Sequence, residues 1–187
     1  EVHALGELLC LDAKTGKILW KAKQIWGTLL ALSNRHDVLL MSFQLTQYTL
    51  PSERGGRMMA FRASDGVRLW DRKVNYSTRP LINDSVVYAQ GGAWDLATGK
   101  DRPFKMSRSY GCGQISSSKS LMLFRSATLG YFDLSRKAGV ENFGGIRLGC
   151  WINAIPVGGL VLVPDGTVCT CSYLNRAAFA LQQVDDE

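Results

Sequence analysis

One stretch recurs along this chain and limits what it can fold into. Residues 8–20 read LLCLDAKTGKILW: an apolar strand, a polar turn closed by Lys14-Thr15-Gly16, and a second strand ending on an aromatic. Gly16 can take a positive φ at little steric cost, which suits the tight turn of an antiparallel hairpin. The pattern returns at residues 58–70 (MMAFRASDGVRLW) and 92–104 (GAWDLATGKDRPF). A looser copy with a longer turn lies at 129–143 (LGYFDLSRKAGVENF), and 177–183 (AAFALQQ) reads as the first half of a fifth.

Placing Asp12, Arg62, Asp95, Asp133 and Gln182 at one register gives steps of 50, 33, 38 and 49 residues. Their mean, about 42, is the length of one four-stranded propeller blade. The spacing therefore predicts an all-β chain, a β-propeller of four-stranded antiparallel blades. Its expected segments are a partial blade over 1–23, blades over 24–74, 75–108 and 109–147, and a partial blade over 148–187. That makes about four blades here, within a ring of about seven or eight completed elsewhere. No helix is signalled.

Within the second blade, the insertion at 44–56, with Pro51 and Gly55-Gly56, accounts for the 50-residue step and reads as the most mobile loop. The tail 185–187 reads as disordered. The first residues carry neither an initiator methionine nor a signal-peptide pattern, and the repeat is entered near a third strand. The expectation is a processed or excised piece of a longer chain.

The net charge of +6 is mild, and its densest basic run is Lys100, Arg102, Lys105 and Arg108. Charges on an outer strand discourage edge pairing, so this run reads as a solvated strand rather than a nucleic-acid surface. No apolar run is long enough to span a bilayer.

The repeat resembles the PQQ-like, or quinoprotein-type, propeller repeat. Gly16 with Trp20 and Gly66 with Trp70 match that motif residue for residue; Gly99 matches with Phe104 in the tryptophan position. The resemblance implies that turn glycine and closing tryptophan dock neighbouring blades. Residues 109–181 are similar to large secreted bacterial proteins with PQQ-like repeats. The stretches that carry this are SYGCGQISSSKSLMLFRSATLGYFDL, GGIRLGCWINAIPVGGLVLVPDG and CTCSYLNRAAFAL. They imply a periplasmic, cell-envelope or extracellular location.

Candidate chemistry is sparse. Cys112 and Cys150 stand 38 residues apart, one blade step, each where an innermost strand begins, so both belong near one mouth of the channel. Cys169 and Cys171 share one face of a strand, and Cys10 reads as a small buried apolar residue. Disulfides of a secreted protein, a reduced buried set and a four-thiolate metal site all remain open for these four cysteines. Arg147, Trp151 and Asn153 form the best small constellation: a cation, an aromatic plate and an amide for a planar or anionic ligand. Trp26 and Arg79 are assigned to inner strands of earlier blades as further channel-mouth candidates.

His3 and His36 stand in isolation, and no catalytic residue or metal site is assigned. In the quinoprotein dehydrogenases, PQQ sits against a stacking tryptophan and an adjacent-cysteine disulfide, with calcium on oxygen ligands. This chain has no Cys-Cys pair, and its inner strands carry almost no carboxylates. The leading expectation is a non-catalytic scaffold or binding module, its partners being the remaining blades, another protein or a small ligand. The alternative is part of a PQQ- and calcium-dependent oxidoreductase.

Overall fold

The computed structural model describes residues 6–43, 56–111, 113–136, 138–146, 148–149, 154–164 and 178–182. Every regular element among them is a strand, and the chain divides into two compact units, Glu1–Phe104 and Lys105–Glu187. The expected loop at 44–56 lies outside the described residues except for Gly56, and so does the tail.

In the first unit, β1 (Gly6–Leu11) and β2 (Ile18–Ile25) form a two-stranded sheet. A four-stranded meander follows: β3 (Leu29–Ser33), β4 (Val38–Ser42), β5 (Met58–Arg62) and β6 (Arg68–Arg72). A second meander runs through β7 (Leu81–Asn83), β8 (Val86–Ala89), β9 (Gly92–Asp95) and β10 (Asp101–Arg102).

The second unit repeats the plan. It holds β11 (Ser116–Ser117), β12 (Leu121–Ser126), β13 (Thr128–Asp133) and β14 (Val140–Phe143) in one sheet. The next is three-stranded: β15 (Ile155–Val157), β16 (Leu160–Val163) and β17 (Phe179–Gln182). All pairings are antiparallel between chain neighbours. First strands of successive sheets lie side by side, β3 with β7 in one unit and β11 with β15 in the other. Meanders whose innermost strands adjoin in this way are the blades of a β-propeller.

Three turns share one hydrogen-bond pattern. The Gly16, Gly66 and Gly99 amides each donate to the carbonyl four residues earlier, at 2.8 Å, with φ of +68°, +76° and +68°. In two of them a threonine and an aspartate complete the turn. The Asp12 carboxylate accepts from the Thr15 amide and hydroxyl, both at 2.7 Å, and Asp95 does the same for Thr98 at 2.9 and 2.8 Å. Such Asx-type bonds offer the backbone a turn in place of a continuing strand.

Packing in the first unit runs from blade to blade. One face of the first sheet, with Leu8, Trp20 and Ala22, meets Met41, Met59 and Phe61 of the second. On the opposite face Val38, Leu40, Met58, Ala60 and Trp70 meet Val87, Ala89, Trp94 and Leu96 of the third. The strand β5 is thus covered on both sides, which explains its unbroken apolar run MMAF where a half-solvated strand would alternate. The second unit packs Leu123, Leu129 and Leu148 against Ala154 and Val163.

Candidate functional site

The two expected site residues that are described both sit in loops. Trp26 lies between β2 and β3, and Arg79 lies just before β7, rather than on the inner strands themselves. Because the strands of a meander alternate in direction, these connections emerge at the same end of the unit as the β4–β5 and β8–β9 connections. Arg147, Trp151, Asn153, Cys112, Cys150, Cys169 and Cys171 lie outside the described residues. Cys10 is described: a free, half-buried thiol opposite Trp20 in the β1–β2 ladder.

Around Trp26 the structure assembles a cluster. The Arg57 guanidinium carbon stands 5.2 Å from the Trp26 ring centre. The same guanidinium donates twice to the Asp71 carboxylate, at 2.7 and 2.6 Å, and those bonds raise the Arg57 pKa. Two parallel charge-assisted bonds and an aromatic plate hold the arginine in one orientation. An anion reaching this cation competes with Asp71.

Tyr76 braces the same region. Its hydroxyl donates to the Arg57 carbonyl at 3.0 Å and accepts from the Phe43 amide at 2.9 Å, while the Val74 amide donates to Gly56 at 3.0 Å. One buried phenol thus ties together both flanks of the segment 44–55. Burial pushes its pKa up to about 12, so it stays neutral and keeps both bonds. No sequence signal marks this brace, because Phe43, Arg57 and Tyr76 are separated by 14 and 19 residues.

In the second unit an arginine is almost fully enclosed. Arg125, 2% exposed, places its guanidinium carbon 5.4 Å from the Tyr110 ring centre, and its carbonyl accepts from Arg108. A Cβ on Gly111 would strike the Arg125 carbonyl oxygen at 2.3 Å, so the chain can pass there only as glycine.

A groove of about 700 Å³ opens between the β11–β14 and β15–β17 sheets, lined by Leu123, Tyr131, Phe143, Leu160, Val161 and Leu181. Arg136 stands at its edge, engaged by Asp133 at 2.9 Å and Glu141 at 3.2 Å. The sequence carried a hint of it: Phe143 occupies the position held by tryptophan in the first two repeats, and it is 50% exposed. In the same register Asp186 stands where glycine stands in the earlier turns.

His36 lies 3.3 Å from Asp84, which also accepts from Arg35 at 3.0 Å, joining the β3–β4 and β7–β8 turns at the opposite end of the first unit. His3 is outside the described residues. Among the described residues no group of three or more His, Cys, Asp or Glu could hold a metal ion. No helix among them is long and apolar enough to cross a membrane.

No family model matches the chain, and no curated protein matches it. Solved structures do. BamB from Moraxella catarrhalis is similar at 16% identity and a TM-score of 0.54, over 86% of this chain and 62% of that one. The computationally designed Ika4 protein is similar at 13% identity and a TM-score of 0.53, over 92% of this chain and 95% of its own. The designed Ika8 protein aligns at 12% identity and a TM-score of 0.53, with this chain spanning 51% of its length. At these identities the likeness is one of fold.

Proposed function

We propose that this chain is a non-catalytic β-propeller scaffold of the bacterial cell envelope, presenting blade faces and loop ends to a protein partner or ligand. The observation that carries this reading is how the polar groups at the loop end of the first unit are used. Arg57 is held by Asp71 and Trp26, and the Tyr76 hydroxyl is committed to Phe43 and Arg57. Groups engaged in this way build a rigid platform and leave little to activate a substrate. The unsatisfied surface is apolar instead: the outer face of β1, and the groove at Phe143. Apolar faces rimmed by polar residues suit macromolecular contact. The envelope location rests on the resemblance of residues 109–181 to secreted PQQ-like repeat proteins, and fold alone does not fix it.

The competing reading is part of a quinoprotein oxidoreductase whose remaining site residues lie outside this segment. Titrating the purified protein with PQQ and calcium separates the two. The scaffold reading expects no saturable quinone absorbance change and no calcium-dependent dye reduction. A bound quinone chromophore with calcium-dependent turnover overturns it.

A further inference from the structure

Two tryptophans of the first unit are committed to packing one sheet on the next. Trp20 lies on Gly66 and donates its indole N–H to the Ala63 carbonyl at 3.0 Å; Trp70 lies on Gly99 and donates to Leu96 at 2.8 Å. Trp26 belongs to no copy of the repeat. Its ring is half-buried, and it faces the Arg57 guanidinium at 5.2 Å rather than a turn glycine.

Arg57 is fixed at three points. Its Nε and Nη2 donate to the two oxygens of Asp71, Trp26 covers one face of the guanidinium, and the Arg57 carbonyl accepts from Tyr76. Among the described residues Nη1 donates to nothing, and the side chain is 31% exposed. The guanidinium edge formed by Nη1 and the second N–H of Nη2 is therefore an open fork, and such a fork fits the two oxygens of a carboxylate. The charge around it is positive. Arg57 and Arg68 share the Asp71 carboxylate, Arg68 at 3.7 Å, and Lys73 stands exposed two residues further on. Lys23 is already matched by Glu7 at 3.7 Å.

We infer that Arg57 and Trp26 form an anchor for an acidic side chain, Asp or Glu, of a protein partner. The partner's carboxylate takes the open fork of Arg57, and the apolar groups beside it lie against the Trp26 ring. Asp71 sets the arginine's orientation beforehand, so little rotamer freedom is lost on contact. Because Asp71 keeps its two bonds, it draws on the same cation and holds the contact to moderate strength. Neither the groove at Phe143 nor the hollow beside His36 includes these residues. A small acid binds by being enclosed, whereas a pre-oriented arginine beside a tryptophan has the make-up of a protein contact. A phosphodiester chain or an anionic membrane calls for a run of uncompensated cations, and here a carboxylate sits between the two arginines. The inference rests on the scaffold reading and names the chemistry of its partner.

The test measures binding of a fluorescein-labelled hexaglutamate peptide to the full-length native protein, by anisotropy at low salt. Saturable binding is expected, and Arg57→Ala is expected to weaken it at least about tenfold. Arg35→Ala removes an exposed cation at the opposite end of the unit and is expected to change binding less than about twofold. Arg57→Lys keeps a cation beside Asp71 but loses the fork, and is expected to weaken binding at least about threefold. Equal losses in Arg57→Ala and Arg35→Ala, unchanged binding in Arg57→Lys, or no saturable binding overturn the anchor. Equal binding of hexaglutamine overturns the carboxylate. Tighter binding of a six-nucleotide oligothymidine, or of phosphatidylglycerol vesicles, that is lost with Arg57 overturns the protein partner. Each of these results leaves the quinone titration, and with it the scaffold reading, where it stands.

Discussion

At the scale of residues, a few polar contacts decide which loops are rigid. Tyr76 is the clearest case, since one hydroxyl satisfies the Phe43 amide and the Arg57 carbonyl at once. Tyr76→Phe keeps the ring and strands both partners, so it is expected to cost about 1–3 kcal/mol. Urea denaturation checks this, the midpoint falling with an unchanged slope. The turn aspartates add a pH dependence. Thr15 bonds hold the Asp12 carboxyl below its usual range, the Arg102 guanidinium does the same for Asp95, and the Ser135 hydroxyl for Asp133. A carboxyl depressed in the folded state stabilises fully above its unfolded value, about 3.9, and that contribution is lost as pH falls through the lower folded value. Thermal midpoints are therefore expected to be flat from neutral pH to about 5 and to fall below about pH 4. In Asp95→Asn that acid fall should be shallower.

Elements show where the repeat holds and where it has decayed. The first turns were legible in the sequence because their chemistry is local: aspartate, threonine and glycine within five residues specify the hydrogen bonds seen at 12–16 and 95–99. The Trp20 and Trp70 contacts were legible only through the repeat, since each reaches across 43 or 26 residues. The Arg57–Asp71 pair and the Tyr76 brace were not legible at all. They join side chains on different elements with no recurring spacing, and Trp26 itself was assigned to a strand that in fact begins at Leu29. Phe104 shows a different decay, packing edge-on against Tyr88 of its own sheet at 4.9 Å. At Phe143 the ring is half exposed beside the groove. Phe143→Trp adds apolar area at a site with room for it, and is expected to raise the thermal midpoint by about 1–3 °C. A lower midpoint would mean that the groove cannot accept the larger ring.

Across the whole molecule, the same physical device is repeated rather than a single core enlarged. In the first unit the β3–β6 blade buries one face against its predecessor and the other against its successor, so stability there is shared among neighbouring contacts. The strand β5 is apolar and enclosed on both sides, whereas Leu9 and Leu11 of β1, in the same register as Met59 and Phe61, are exposed. Sequence periodicity predicted this architecture from hairpin spacing alone. The candidate ligand residues in the last repeats rested on single, non-recurring positions, which periodicity cannot test. The central claim, that an indole seated on a turn glycine joins one blade to the next, is tested most directly by a double-mutant cycle of Trp70→Ala and Gly99→Asn, read by equilibrium unfolding. The account expects each single change to destabilise and the pair to cost little more than the larger, a coupling of at least about 1 kcal/mol. Strictly additive costs would contradict it.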